Sequence, residues 1–187
     1  MFMKQLMESW NKYINESSLS RTYQHLIEHD CAIITGYRGD PTDNSKCAVG
    51  SRVDQPGPKP IEINKDRNAE LIEKLRGMGY GVTSVLGSYV EDYMQDTARE
   101  VKEASLFVVN LNDDSGFFAQ IENLGQYFCQ DSVLMIPQGG KGAYLLGTNN
   151  SSFPGFGQKA ETGDFAGGEE GEFMTRVGDR PLVFREK

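Results

Sequence analysis

The sequence is poor in the residues that most enzymes use for proton transfer and metal binding. It has two histidines, three cysteines and one tryptophan among 187 residues. General acid–base chemistry near neutral pH usually employs histidine. Here His25 and His29 lie upstream of every glycine-rich turn, and no Ser/His/Asp or Cys/His set emerges, so no catalytic residue is assigned. The two histidines are four apart and share a helix face. Their order, His25-Leu26-Ile27-Glu28-His29, matches the inverted HxxEH of some zinc peptidases. A third ligand is missing, so two solvated histidines are the preferred reading, with no metal and no cofactor expected. Cys31, Cys47 and Cys129 are odd in number and widely spaced, which gives neither a disulfide framework nor a CxxC pair. Three reduced thiols are expected. No apolar run approaches the ~18 residues of a membrane span. Charges interrupt the opening MFMKQLMESWNKY, so no signal peptide is read there. Neither GxxxxGKS/T nor GxGxxG occurs. Basic residues are outnumbered, 19 against 27 acids, for a net charge of −8. That excess repels phosphate backbones and disfavours nonspecific nucleic-acid binding.

What is present suits one soluble domain. Apolar residues make up 38% of the chain, enough for a core, and 21 glycines exceed the usual ~7%. Residues 1–30 read as N-terminal helices, with Leu6, Trp10, Tyr13 and Ile14, then Tyr23, Leu26 and Ile27, facing inward. Residues 31–146 read as an α/β core carrying a Pro-rich insertion over 40–60, a loop long enough to be mobile or functional. Residues 147–187 form a Gly/Phe-rich extension. In the core, Cys31–Thr35 is a strand. Asn64–Gly77 is a helix capped by Asn64, with Ala69, Leu71, Ile72, Leu75 and Met78 as its stripe. Val82–Leu86 is a strand stopped by Gly87. Leu106–Val109 is a buried strand. Gly116–Phe128 is a helix burying Phe117, Ile121, Leu124 and Phe128. Val133–Ile136 and Ala143–Leu146 form a hairpin. Two last strands cover Phe173–Val177 and Pro181–Phe184. Between them, 147–171 lacks periodicity, and Phe153, Phe156, Phe165 and Phe173 are expected to pin it by burying their rings.

Val90–Ala104 is ambiguous, and it decides the fold. Set aside, it leaves the split βαβ, ferredoxin-like order: an α+β sheet with helices on one face, extra N-terminal helices and C-terminal strands. As a helix, it makes the alternation strict, and a doubly wound α/β sheet competes. The very apolar strands favour the competitor, since they suggest burial on both faces. The terminal hairpins favour the α+β sheet, which is preferred.

Four segments are candidate sites. Thr35-Gly36-Tyr37-Arg38 follows the first strand, where glycine backbone and an arginine fork suit an anion and Tyr37 could stack on a base. Gly87-Ser88-Tyr89-Val90-Glu91 follows the second strand and, with Glu103 and Ser105, could form a polar cluster beside it. Gly139–Gly142 with Gly147–Asn150 suits an anion too, but a hairpin turn explains the same glycines. Glu161, Asp164, Glu169, Glu170 and Glu172 make an acidic run without an EF-hand pattern, better read as a surface seeking a basic partner.

Several stretches add a resemblance: Ala32-Ile33-Ile34-Thr35-Gly36-Tyr37, Asn68 with Leu71 and Leu75, Gly79-Tyr80-Gly81-Val82-Thr83, Gly87-Ser88-Tyr89-Val90-Glu91, Glu103-Ala104-Ser105-Leu106-Phe107-Val108-Val109, Leu124-Gly125, Gln130-Asp131-Ser132-Val133-Leu134 and Gly147-Thr148-Asn149. From Cys31 to about Phe156 the chain resembles a domain family, of unknown function, of short bacterial and tailed-phage proteins. The resemblance implies a phage origin and one shared site for Thr35, Asn68, Glu91, Glu103 and Ser105. It carries over no catalytic residue. The functional expectation is a phage-like, non-catalytic module. It would bind a small anionic or nucleotide-like ligand through Thr35, Gly36, Tyr37, Arg38, Asn68, Gly87, Tyr89, Glu91, Glu103 and Ser105, with counter-defence as one use. A virion structural or accessory protein is the second reading. An enzyme using Glu91 or Glu103 as acid or base is the third. Partners are then the small anionic ligand or a host protein, with other virion proteins in the second reading. A membrane is not among them, and the compartment is the host cytoplasm or the virion.

Overall fold

The computed structural model describes residues 21–91, 99–167, 173–177 and 180–185, with 86–91, 99–103 and 165 onward described by backbone alone. The expected inward face of residues 1–20 lies outside this range. Helical residues 21–28 (α1) lead into β1 (Cys31–Ile34). After the Pro-rich insertion come α2 (Pro60–Gly77), β2 (Gly81–Glu91), β3 (Arg99–Val109), α3 (Phe117–Tyr127) and β4 (Ser132–Ile136). Then follow β5 (Ala143–Gly147), β6 (Lys159–Gly167), β7 (Phe173–Val177) and β8 (Arg180–Arg185).

Every strand pair is antiparallel, which removes the doubly wound alternative. The fold is α+β. From β1 to β4 the sheet runs β4-β1-β3-β2, the order of a split βαβ unit. The C-terminal strands continue it, β2-β7-β8-β6-β5 back to β4, and close the sheet into an eight-stranded barrel. Closure gives each strand two neighbours, although β1 covers only Leu106–Val109 of β3 and β7 only Leu86–Tyr89 of β2. The described parts of Val90–Ala104 are strand and not helix: Val90 and Glu91 end β2, and Arg99–Ala104 belong to β3, while 92–98 lie outside the described residues. Gly87 does not stop β2, since it pairs with Glu103 and the strand runs four residues further. β6 occupies part of the stretch expected to be irregular.

Two apolar clusters explain the strand composition. Ala32, Ile34, Leu106, Val108, Val133 and Met135 pack under Leu71 and Leu75 of α2 and Phe117, Ile121 and Leu124 of α3. The alternate residues Cys31, Phe107, Val109, Leu134 and Ile136 form a second cluster with Val85, Ala143 and Leu26 of α1. Side chains alternate across a strand, so this second cluster fills the barrel interior, and α1 covers one end. Both faces are buried, one by helices and one by closure. The continuous apolar runs therefore belong to an antiparallel sheet here. In α1 only Leu26 of the expected apolar set is buried, with Tyr23 and Ile27 outward.

Cys31 points into this interior, its thiol directed at the carbonyls of His25 and His29, both 3.6 Å away. Burial, then the charge of Asp30, pushes the thiol up to about 12. The folded thiol thus holds its proton more tightly than the unfolded one. The stability it adds is complete below the ordinary thiol range, about 8.5, and fades as pH rises towards about 12. Melting temperatures followed from about pH 8 to about pH 12 should fall, and fall less steeply in Cys31→Ala. Equal slopes would refute this. The two-sided burial makes a separate demand. Leu106→Ala should lower stability by about 2–5 kcal/mol and its neighbour Phe107→Ala by about 3–5 kcal/mol in urea unfolding. A neutral result at either position would mean that one face is wet.

Candidate active site at the end of strand β1

The chain leaves β1 at Thr35, and Thr35–Arg38 are fixed from two sides. Thr35 Oγ1 donates to the Ala104 carbonyl of β3 at 2.7 Å and accepts the Tyr37 N–H at 3.0 Å. The Gly36 N–H donates to Asn68 Oδ1 at 3.1 Å. The Arg38 N–H donates to Asn64 Oδ1 at 3.0 Å, and Asn64 Nδ2 returns a bond to the Arg38 carbonyl at 2.8 Å. Three successive backbone donors are thereby occupied by side chains. Whatever this turn recognises it must recognise through Tyr37 or its neighbours. Gly36 is required by contact: a Cβ there would lie 2.8 Å from the Asn68 Cα.

The first half of α2 supplies these contacts. The helix starts at Pro60, whose fixed φ suits a first turn. Asn64 is therefore not its cap but an inward-facing residue one turn along. Of the expected stripe, Leu71 and Leu75 are buried, whereas Ala69 and Met78 are exposed. Towards the N-terminus the buried face is Ile63, Asn64 and Arg67. Arg67 is fully buried. Its Nε donates to the Gly36 carbonyl at 2.7 Å, Nη1 to Asp54 Oδ2 at 2.5 Å and Nη2 to the Phe128 carbonyl. Burial lowers its proton affinity, and the bond to Asp54 opposes that shift.

The Pro-rich insertion is tied down. Arg52 pairs with Asp54, Asp66 and Glu70, and Tyr127 OH donates to Glu70 at 2.9 Å. Partial burial pulls the Arg52 guanidinium down, but hydrogen bonds to Asp66 and Asp54 and the charges of Asp54 and Glu70 outweigh it and raise it. Cys47 and Cys129 form a disulfide. That corrects the expectation of three free thiols, since 82 residues of separation hide a pair that the fold brings together. Cys31 alone is free among the described residues.

Not all predicted site residues gather at one point. Thr35, Gly36 and Asn68 join at the point where β1 stops and β3 continues. Ser105 lies there too, buried opposite Val85 on the interior side of β3. Glu103 sits two residues away, in register with Gly87. Tyr89 and Glu91 are further out: Glu91 pairs with Arg99, four steps beyond Gly87, about 13 Å along the strand. Arg38 turns aside, its Nη1 on the Asp43 carbonyl at 2.7 Å. Gln130, passed over in sequence because an amide before a strand carries no signal, reaches the Tyr37 carbonyl at 3.2 Å. Arg67 was missed because an arginine within a helix reads as solvated.

Away from this point, Gly139–Gly142 is the β4–β5 turn, and Asp164 accepts the Gly142 N–H. Glu161 is exposed, and Glu169, Glu170 and Glu172 lie outside the described residues. Phe153 and Phe156 are exposed, so their rings pin nothing.

The model of the S-Adenosylmethionine lyase family matches residues 59–179, more than half of the chain. The chain belongs to this family. The match spans α2 through β7 and so includes Asn68, Gly87, Tyr89, Glu91, Glu103 and Ser105, while Thr35–Arg38 precede it. No curated protein matches the chain. Membership in a lyase family overturns the reading of a non-catalytic module for an anion, and with it the expectation of a family without known activity. The phage, counter-defence and virion readings find no support in it. No helix among the described residues is long and apolar enough to cross a membrane.

Arg67→Met should destabilise the protein by about 3–5 kcal/mol in urea unfolding, because it leaves the buried Asp54 carboxylate to Arg52 alone and takes the donor from the Gly36 carbonyl. Arg38→Met, whose contacts are more exposed, should change stability by no more than about 0.5 kcal/mol. Equal losses would remove Arg67 as the centre of this site's scaffold.

Proposed function

We propose that this member of the S-adenosylmethionine lyase family cleaves S-adenosylmethionine itself, breaking a carbon–sulfur bond at the sulfonium without adding water. The family match over residues 59–179 carries the reading. The net charge of −8 agrees with it, since an acidic surface draws in a cationic substrate.

The chemistry asks little of the protein. The electron pair of the breaking bond moves onto sulfur, which leaves as a neutral thioether and needs no acid to protonate it. The carbon is satisfied in one of two ways. A base removes a neighbouring proton and a double bond forms, or another group of the same substrate attacks. A carboxylate serves the first route as base and the second by holding the positive charge in place. The acid–base enzyme reading of the sequence therefore becomes the leading one, with Glu103 and Glu91 as its carboxylates. Their register keeps them about 13 Å apart along the hairpin, so one reacting carbon meets one of them. Glu103 is preferred: it neighbours the Ala104 carbonyl that Thr35 holds, and it leads to Ser105 at the interior end.

Purified protein mixed with S-adenosylmethionine should release a neutral thioether, followed by chromatography and mass spectrometry. Methylthioadenosine marks cleavage on the amino-acid side, methionine cleavage on the ribose side. Glu103→Gln should lower kcat by about 10²–10⁴-fold with an unchanged melting temperature. A loss confined to Glu91→Gln would move the reacting centre outward along β2. No consumption of substrate by the native chain would end the proposal.

A further inference from the structure

The insertion returns to the body by two kinds of tie. From Ser51 onward the ties are polar: Ser51 Oγ donates to the Gln126 carbonyl at 2.6 Å, the Arg52 N–H to the Tyr127 carbonyl at 2.7 Å, and the Arg52 guanidinium to three carboxylates. Residues 39–50 have fewer polar ties and add a covalent one. Thr42 and Ser45 bond within the loop, to Asp40 and Asp43. The Asn150 N–H donates to the Lys46 carbonyl at 2.9 Å, Arg38 donates to the Asp43 carbonyl, and Cys47 is bonded to Cys129.

The two sulfurs of that bond differ in access. Cys129 is fully buried at the end of α3, whereas Cys47 is half-buried on the loop. Arg38 Nη1 lies 3.7 Å from the Cys47 sulfur. A neighbouring guanidinium favours a thiolate, which makes it both a better leaving group and a ready nucleophile for re-closure.

We infer that Cys47–Cys129 is a redox-operated clamp on residues 39–50, opened and closed at Cys47. One thiolate of a dithiol reductant attacks the Cys47 sulfur, the bond to Cys129 breaks, and Cys129 leaves as a thiolate that takes up a proton. The second thiol of the reductant then attacks its own sulfur partner in the mixed disulfide. Cys47 is released as a thiolate beside Arg38, and the reductant leaves as its cyclic disulfide. Two electrons enter the protein, and two thiols replace one disulfide. Opening loosens residues 39–50, which adjoin Tyr37 and Arg38 and keep the hydrogen bonds from Asn150 and Arg38, while Ser51–Asp54 stay docked by their own bonds. A reducing compartment opens the clamp and an oxidising one keeps it shut. The inference does not depend on the proposed activity.

The full chain tests it without substrate. As isolated in air, the native protein should show no reactive thiol. After treatment with dithiothreitol and its removal it should show two, since buried Cys31 reacts only on denaturation. Trypsin cleavage after the exposed Lys46 should rise about tenfold or more on reduction, with cleavage after the docked Arg52 unchanged. Cys47→Ser should cleave at the fast rate in either condition, and Cys31→Ser should behave as the native chain. If Cys47→Ser fails to fold, native protein reduced and alkylated gives the same comparison. Equal cleavage at Lys46 in both states, or free thiols from the outset, overturns the clamp.

Discussion

Arg67 is the point on which the candidate site's construction depends. A guanidinium offers donors in a planar fork, and here each arm meets a different part of the chain: the Gly36 carbonyl beyond β1, the Phe128 carbonyl after α3 and the Asp54 carboxylate of the insertion. A lysine could reach one of these at a time. Complete burial of a charge is unfavourable unless it is paired and hydrogen-bonded, so the same geometry that satisfies Arg67 obliges the three segments to meet. Asn64 and Asn68, one turn before Arg67 and one residue after it, complete the docking of the turn after β1. α2 is thus a conventional apolar helix in its second half and a backbone-binding surface in its first.

The elements with a clear period were legible in the sequence. Phe117, Ile121, Leu124 and Phe128 mark α3, and all four are buried. The hairpin of β4 and β5 and the two last strands follow from apolar runs between turn residues. The split βαβ order follows from them once Val90–Ala104 is set aside. What failed had a physical cause. A strand buried on both faces loses its alternation, so Leu106–Val109 looks like a parallel strand although it is antiparallel. Gly87 looks like a stop because glycine weakens strands, yet pairing on both sides, with Glu103 of β3 and Thr175 of β7, carries β2 through it. β6 has small and charged residues and takes its partners from β5 and β8, which no local pattern announces.

The site was legible only in part, for a related reason. Thr35, Gly36 and Asn68 stand out as polar or small residues at places where packing does not demand them, and they do meet. Their meeting satisfies backbone groups, which is a structural task. The disulfide and Arg67 could not be read, since both depend on long-range proximity: one joins positions 82 apart, the other links a helix to three distant segments.

The functional expectation leaned on the scarcity of histidine and the lack of a catalytic set. Scarcity of histidine argues against reactions whose leaving group must be protonated or whose nucleophile must be activated near neutral pH. A sulfonium leaves as a neutral thioether, so that argument does not touch it. The acidity of the chain changes meaning in the same way. A charge of −8 opposes phosphate ligands, and under the proposed activity it would favour a sulfonium cation, whose positive centre is lost as the bond breaks. Catalysis must then favour the transition state over the bound cation, which a carboxylate can do by taking a proton or by holding the substrate bent for internal attack. Few histidines, no cofactor motif and an excess of acids are an unpromising inventory for most enzymes. The proposed cleavage of a sulfonium asks for no more than these.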